Sequence, residues 1–304
     1  MFSGSGQTAC RAGGASSGPG VADLLTLVRT GPGRFRSPVS QANYQVAIFG
    51  GQLLGQSVMA AAMTVPIQRI HSLHGYFIEA GVPGLPIDYV VEELRNSPVS
   101  ALRQVSVVQG ERSLFSLQCF FRADQPGFDH QLEPLPAPAP EALEDFAAIA
   151  RADPAVMGDF GTFILGGSAV EVRPFARGDL AHAPGVTRRR FWVRVPDARE
   201  ITDEAMQAAA LAYLSDYWFS RVALVPHCSP VPDPAMKFAS IDHCMWFHRP
   251  ARAGEWLLYD TDTPSAGDGT GFARGLIYDR AGRLVASTAQ EVLQVPRRAA
   301  RTAT

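Results

Sequence analysis

The chain has 304 residues, a formal net charge of −2 and a hydrophobic content of 46%. The nearly neutral charge argues against a nucleic-acid-binding protein, which normally carries an extended basic surface. No apolar run approaches the roughly 18 residues that a membrane-spanning helix needs. The length predicts two domains, and the composition is typical of soluble globular proteins with a sizeable core.

The two ends of the chain are predicted to be disordered tails, over residues 1–20 and 297–304. The first tail is rich in glycine and serine and lacks the apolar segment of a signal peptide. The chain contains four cysteines and no CxxC pair: Cys10, Cys119, Cys228 and Cys244. Cys119 and Cys244 lie in apolar segments and are predicted to be buried free thiols, which fits a reducing, cytoplasmic location.

The first half of the chain predicts one buried helix followed by a meander of strands. Residues 50–65 are apolar on nearly every helical face, which is typical of a helix surrounded by protein. Four strands are predicted after it, at 70–81, 86–95, 101–108 and 113–121. In the last strand Cys119 and Gln118 belong to opposite faces because side chains alternate along a strand.

The second half repeats this order. A helix is predicted at 206–219, with Thr202 as its N-cap and with Asp203 and Glu204 in its first turn. Four strands follow, at 239–250, 255–262, 271–279 and 283–295, and two further strands are predicted before the helix, at 169–176 and 188–195. Asp279, Ala281 and Gly282 are predicted to form the turn before the last strand.

The halves also match residue by residue, which predicts an internal duplication. Three pairs carry the match: Phe77 and Phe247, Tyr89 and Tyr259, and Gln118 and Gln290. The first two pairs are 170 residues apart and the third is 172 apart. A buried helix wrapped by a curved antiparallel sheet is a hotdog, so we predict an α+β double hotdog. Its predicted units are 21–124 and 161–296, joined by an extended proline-rich linker at 125–160.

Seven segments of the chain then carry a family resemblance: FGGQLLGQ (49–56), HSLHGYF (71–77), GFDHQ (127–131), LAYLSD (211–216), SIDHCMWFHRP (240–250), EWLLYD (255–260) and LVASTAQE (284–291). They resemble the type II acyl-CoA thioesterases, the TesB-like double-hotdog family, from about Leu24 to about Val295. The resemblance implies hydrolysis of an acyl-CoA to free CoA and a fatty acid, within fatty acid metabolism. It also implies a homodimer or larger homo-oligomer, and catalytic roles for Asp216, Ser240 and Gln290.

The residue types at these positions suit that chemistry. Thioester hydrolysis needs a positioned water, a base for its proton, and stabilisation of the developing oxyanion. Burial on an apolar helix would raise the pKa of Asp216 and suit it to act as the base. Ser240 and Gln290 can hold the water or the carbonyl group, and N–H groups at a helix N-terminus can stabilise the oxyanion. We therefore expect no metal ion or organic cofactor.

Other interpretations remain open at this level. Each of the three residues also has an ordinary structural interpretation. An enoyl-CoA hydratase would need a histidine, such as His71 or His74, folded against Asp216. A non-catalytic acyl-CoA-binding protein would need no reactive set.

Two histidines of the second half could suggest a metal site. His243 and His248 should lie on opposite faces of their strand, which argues against a shared metal site and makes them structural residues.

The chain departs from the family pattern at two places. It has RNSPVS (95–100) where the family usually has Arg-Asp-Gly-x-Ser-Phe, and it has Ser240 where the family often has threonine.

Overall fold

The computed structural model describes residues 20–43, 45–66, 68–153, 169–176, 185–227 and 235–297. Except for Gly20 and Arg297, both predicted tails lie outside these ranges, as do Cys10 and Cys228. Of the two cysteines within them, Cys119 is buried as predicted, whereas Cys244 is only half-buried, and both are free thiols.

The described ranges contain five α-helices: α1 (Val21–Leu25), α2 (Gly50–Ala62), α3 (Phe146–Ala152), α4 (Glu204–Ser215) and α5 (Phe219–Val222). They also contain thirteen strands: β1 (Val28–Gly31), β2 (Arg34–Ser37), β3 (Arg69–Phe77), β4 (Ile87–Asn96), β5 (Ser100–Gln109), β6 (Arg112–Arg122), β7 (Glu171–Pro174), β8 (Arg188–Arg194), β9 (Met236–Ser240), β10 (Asp242–Phe247), β11 (Leu257–Gly267), β12 (Thr270–Tyr278) and β13 (Leu284–Pro296). Short 3₁₀ helices occur at Pro140–Ala142 and Pro196–Glu200.

All thirteen strands form one antiparallel sheet. Twelve of them follow the order β1-β2-β4-β5-β6-β3-β10-β13-β12-β11-β8-β7, and β9 pairs with β13 beside them. The order is symmetric about the β3–β10 pair, so each half contributes a six-stranded set with the same internal order. The sheet surrounds α2 and α4, which pack against each other. This is the predicted double hotdog. The unit boundaries that we predict stay predictions.

Strand register confirms most of the predicted duplication. In the centre of the sheet Cys244 pairs with His74, and these two residues are themselves 170 apart, so they lie on the pseudo-twofold axis. Tyr89 and Tyr259 occupy equivalent places in their halves: Tyr89 lies between Phe35 and Val107, and Tyr259 lies between Phe191 and Ile277.

The third predicted pair, Gln118 and Gln290, is wrong. Gln118 is exposed on the outer face of β6, whereas Gln290 is fully buried. Arg103 pairs with Cys119 in the first half, and its counterpart Ala273 pairs with Gln290 in the second. The equivalent of Gln290 is therefore Cys119, and the last strands are offset by 171 residues. An error of one residue places a side chain on the opposite face of a strand.

Several predicted boundaries change for local reasons. Predicted strand 239–250 is divided at Ile241, so β9 pairs only with β13, whereas β10 pairs with both β3 and β13. The N-cap of α4 is Asp203 and not Thr202, because the Asp203 carboxylate accepts the N–H of Met206 at 2.7 Å. The predicted linker contains α3, whose N-cap Asp145 accepts two backbone N–H groups. Among the helices of the described ranges, none has both the length and the hydropathy to cross a membrane.

The glycines of α2 allow this helix to approach α4 closely. A Cβ atom built on Gly55 would lie 2.8 Å from the carbonyl oxygen of Ala209 and 2.6 Å from Cδ2 of Leu25. Two glutamines on the same helix hold the preceding segment: Gln56 donates to the Leu24 carbonyl at 2.5 Å, and Gln52 donates to the Val39 carbonyl at 3.0 Å. The GGQLLGQ segment is therefore a helix-packing and anchoring element.

We predict that Gly55→Ala destabilises the fold even though alanine is the better helix former. The helix-propensity gain is about 1 kcal/mol, whereas overpacking against a backbone carbonyl costs about 1–3 kcal/mol. Chemical denaturation should show a net loss of up to about 2 kcal/mol in the free energy of unfolding. Gly127→Ala is the matched control, because no atom lies within 4 Å of its added Cβ. Equal stability of the two variants would contradict the close-approach explanation.

Candidate active site

The site is centred on a buried carboxylate. Asp216 is the C-cap residue of α4 and is only 7% exposed. Burial raises its pKa to about 7, although hydrogen bonds from the Gln290 side chain and the Gly51 backbone oppose the shift by favouring the charged form. The predicted rise in this pKa is confirmed in direction and cause, and the carboxylate can exchange a proton near neutral pH.

The first turn of α2 brings the other half of the chain to this carboxylate. A Cβ atom on Gly50 would lie 2.6 Å from Oδ2 of Asp216 and 3.0 Å from Cε1 of Phe77. Any larger side chain would therefore collide with the carboxylate. The helix begins after Phe49 without a side-chain cap, and the backbone N–H of Gly51 in its first turn donates to Asp216. N–H groups at this end of a helix carry partial positive charge. The site is thus built from both halves.

The other two predicted residues lie on neighbouring strands. Ser240 ends β9, and Gln290 lies in the middle of β13 with no exposed surface. Nε2 of Gln290 donates to Oγ of Ser240 at 2.6 Å, and the same amide donates to Asp216. The structure therefore brings Asp216, Ser240 and Gln290 together around one amide group.

A histidine also joins this set. His243 on β10 is fully buried, and its Nδ1 lies 2.6 Å from Oε1 of Gln290. Its Nε2 lies 3.0 Å from Oγ of Ser215. Burial lowers the pKa of His243 to about 4, so the ring is neutral at physiological pH. The sequence interpretation of His243 as a residue bonded to its neighbours is correct, but it missed that one neighbour is Gln290.

Tyr259 of the EWLLYD segment supports the helix end that carries Asp216. Its hydroxyl donates to the carbonyl oxygen of Ser215 at 3.0 Å and lies 2.9 Å from Oγ1 of Thr288. Burial raises the pKa of Tyr259 far above its usual value, so the phenol stays protonated. The sequence signal for this role was the equivalence with Tyr89, whose hydroxyl also bonds to the buried helix of its own half, at Gln56.

The first half contains no counterpart of this polar set. The strand offsets of 170 and 171 place Ile70, Leu73 and Cys119 where the second half has Ser240, His243 and Gln290. Leu73 and Cys119 are directly paired and fully buried. Helix α2 contains no acidic residue. The duplicated fold therefore carries the polar set once.

The remaining histidines of interest lie elsewhere. His74 is exposed and packs its ring edge against Trp246 with centroids 5.0 Å apart, whereas His71 packs against Phe120. His248 is exposed and bonds Oγ of Ser287, on the opposite side from His243. Within the part of the chain that the structure describes, no group of three or more potential ligands could hold a metal ion.

Comparisons with known proteins identify the family of this chain. Residues 131–294 match the family model described as acyl-CoA thioesterase C-terminal domain, and residues 38–122 match the N-terminal domain model. Mouse acyl-coenzyme A thioesterase 8 is 36% identical over 256 residues, which cover 80% of this chain and 79% of that protein. Acyl-CoA thioesterase 2 of Haemophilus influenzae is 31% identical over 252 residues, covering 81% and 87%.

Solved structures give the same picture. The crystal structure of acyl-CoA thioesterase II TesB2 from Mycobacterium marinum has a TM-score of 0.75 and 32% identity, covering 91% of this chain and 99% of that one.

We predict that Asp216→Asn stabilises the folded protein at high pH. The folded-state pKa is raised, so the folded form binds the proton more tightly than the unfolded form does. This stability contribution is complete below about pH 3.8 and is lost as the pH rises through about 7. Asparagine does not ionise, so the variant keeps its stability as the pH rises. At pH 8 its free energy of unfolding should exceed that of the wild type by on the order of 2–4 kcal/mol.

Denaturant unfolding between pH 4 and pH 8 measures this gain, which should disappear toward pH 4. Glu111→Gln removes an exposed carboxylate and controls for the loss of charge alone. A gain that is the same at every pH would contradict the raised pKa of Asp216.

Proposed function

Because this chain belongs to the acyl-CoA thioesterase family, we propose that it hydrolyses acyl-CoA thioesters with a water molecule activated by Asp216, Ser240 and Gln290. The family identifies the reaction class: the protein is a thioester hydrolase acting on acyl-CoA. The assignment of these three residues is the part that we propose. One observation carries it, namely the shared Gln290 amide that joins a buried carboxylate to a serine hydroxyl.

In the proposed reaction Asp216 acts as a general base. The ionised carboxylate takes a proton from water while the water oxygen attacks the thioester carbonyl carbon. Ser240, held in place by Gln290, orients the water, and neither residue forms a covalent bond with the acyl group. The tetrahedral intermediate then breaks its C–S bond, and the proton on Asp216 leaves with the CoA sulfur. One water and one acyl-CoA give one carboxylic acid and one free thiol.

The first turn of α2 is the proposed oxyanion site. Backbone N–H groups at a helix N-terminus stabilise negative charge without needing to reorganise. The N–H of Gly51 is used by Asp216, whereas the N–H of Gly50 belongs to the first helical residue and has no acceptor within the helix. The close approach of Gly50 to Asp216 would place a carbonyl oxygen and an attacking water within one small volume.

The position of the histidines favours hydrolysis over hydration of an enoyl-CoA. A hydratase would need His71 or His74 against Asp216, but these residues pack against Phe120 and Trp246 on the outer face of the sheet. The histidine that does enter the site, His243, contacts Gln290 and is neutral. A purely binding role does not explain a carboxylate kept buried with a pKa near 7.

We predict that the wild-type protein releases thiol from members of a panel of short-, medium- and long-chain acyl-CoAs, and that Asp216→Asn loses most of this turnover. Because the base must be ionised, kcat/KM should rise with pH through about 7. A reagent that changes absorbance on reaction with free thiols measures the CoA released, and circular dichroism checks that the variant is folded. Undiminished turnover in Asp216→Asn would remove Asp216 from the mechanism.

We also propose assembly into a homodimer or larger homo-oligomer, as the family resemblance implies. Large apolar side chains remain exposed at one end of β3 and in the loop after it: Tyr76, Ile78, Val82 and Leu85. Light scattering during size-exclusion chromatography should give at least twice the 32.7 kDa mass of the chain. A monomer at micromolar concentration would contradict the proposal. The cytoplasmic location stays a prediction.

A further inference from the structure

The orientation of the Gln290 amide decides whether the proposed site can work. An amide has one accepting oxygen and one donating nitrogen, and a 180° flip exchanges them. The ionised Asp216 carboxylate can only accept, so it requires the Nε2–H side of Gln290. The reversed amide would place Oε1 against the carboxylate and remove a donor that holds down the pKa of Asp216.

His243 is placed to select the productive orientation. Its Nδ1 lies 2.6 Å from Oε1 of Gln290, and a carbonyl oxygen can only accept, so Nδ1 carries the proton. A neutral ring with its proton on Nδ1 leaves Nε2 as an acceptor. Oγ of Ser215 lies 3.0 Å from Nε2 and can donate to it, sharing its proton with the Ala212 carbonyl.

We propose that His243 is a positioning residue: its Nδ1–H holds Oε1 of Gln290, so that the Nε2–H of that amide faces Asp216 and Ser240. The inference rests on the proposed function of these three residues and adds a fourth member that touches neither water nor substrate. It assigns to a residue of the SIDHCMWFHRP segment a task beyond packing.

The first half of the same chain shows that packing alone does not require this histidine. Leu73 occupies the position equivalent to His243, and its direct partner Cys119 occupies the position equivalent to Gln290. An apolar pair therefore fills this place in an otherwise equivalent sheet. A buried imidazole and amide are costly unless both are hydrogen-bonded. The polar pair occurs only in the half that carries Asp216.

The positioning role has a pH signature. Among the described residues, the titratable groups that contact the network from the surrounding strands are His243 on β10 and Tyr259 on β11, and both are neutral. Without His243 the amide is free to flip, and Asp216 loses a donor to its charged form. The acid limb of kcat/KM should then move to higher pH, because Asp216 must lose its proton to act as a base.

The test uses four variants and the wild type. His243→Leu removes the donor with a side chain that the first half accepts at this position. His243→Asn keeps an N–H near the place of Nδ1. Gln290→Cys introduces the residue that the first half has at the equivalent position, Cys119. The double variant His243→Leu/Gln290→Cys recreates the Leu73–Cys119 pair. Each is assayed by thiol release across pH, after thermal melting shows that it is folded at the assay temperature.

We expect His243→Leu to lose roughly 10- to 100-fold in kcat, less than the loss of a direct oxyanion donor, with little change in KM. The acid limb of its kcat/KM profile should move to higher pH. His243→Asn should restore both kcat and the wild-type position of that limb. The double variant should be no slower than Gln290→Cys, since residues that act through one group are not additive. An unmoved limb in His243→Leu, or an additional loss in the double variant, would overturn the inference.

A measurement independent of turnover separates this inference from the catalytic assignment. Carbon-13 NMR can follow the Asp216 carboxyl titration, with Asp216→Asn identifying the signal. If the Asp216 pKa rises in both His243→Leu and Gln290→Cys, the positioning role holds, even if Asp216→Asn keeps its turnover and the catalytic assignment fails. If that pKa is unchanged in His243→Leu but turnover requires Asp216, only the positioning role fails.

Discussion

The buried carboxylate of Asp216 is the constraint on which the rest of the site depends. Removing a charge from water is expensive, and the protein offsets part of that cost with two N–H donors, one from each half of the chain. The first donor, from Gly51, requires α2 to begin directly against the end of α4, which only glycine allows at that point. The second, from Gln290, requires a polar side chain in the middle of a buried strand. The close packing of the two halves is therefore what supplies the hydrogen bonds that the Asp216 carboxylate needs.

Much of the fold could be predicted from the sequence, because period-two alternation and a repeated element order are strong signals. Register was less accessible. The sequence match paired Gln118 with Gln290 because both are glutamines, and only the hydrogen-bonded partners show that Cys119 is the equivalent residue. The strand break at Ile241 was also hidden, since nothing in the segment ASIDHCMWFHRP (239–250) indicates that pairing partners change there. Similarly, Thr202 and Asp203 are both good N-caps, and the choice between them depends on the position of one turn.

The site residues could be predicted by a different route. Family resemblance pointed to Asp216, Ser240 and Gln290, and the structure places these residues in contact. The supporting residues could not be found by residue type, because a strand histidine and a strand tyrosine have many ordinary roles. His243 and Tyr259 acquire meaning only through their partners, Gln290 and the carbonyl of Ser215. Such partners come from strands and helices far apart in sequence, and local patterns carry no information about them.

The central pairing of β3 with β10 has a consequence for how such a chain arose. A half standing alone would expose that strand as a free edge, with unpaired N–H and C=O groups ready to join another chain. Since the register is symmetric about His74 and Cys244, a second copy of the half would satisfy the edge in the same way. An ancestral single unit would thus have been a symmetric dimer with two equal sites. Fusion into one chain released the two copies from identity, and one site could become apolar while the other kept its chemistry.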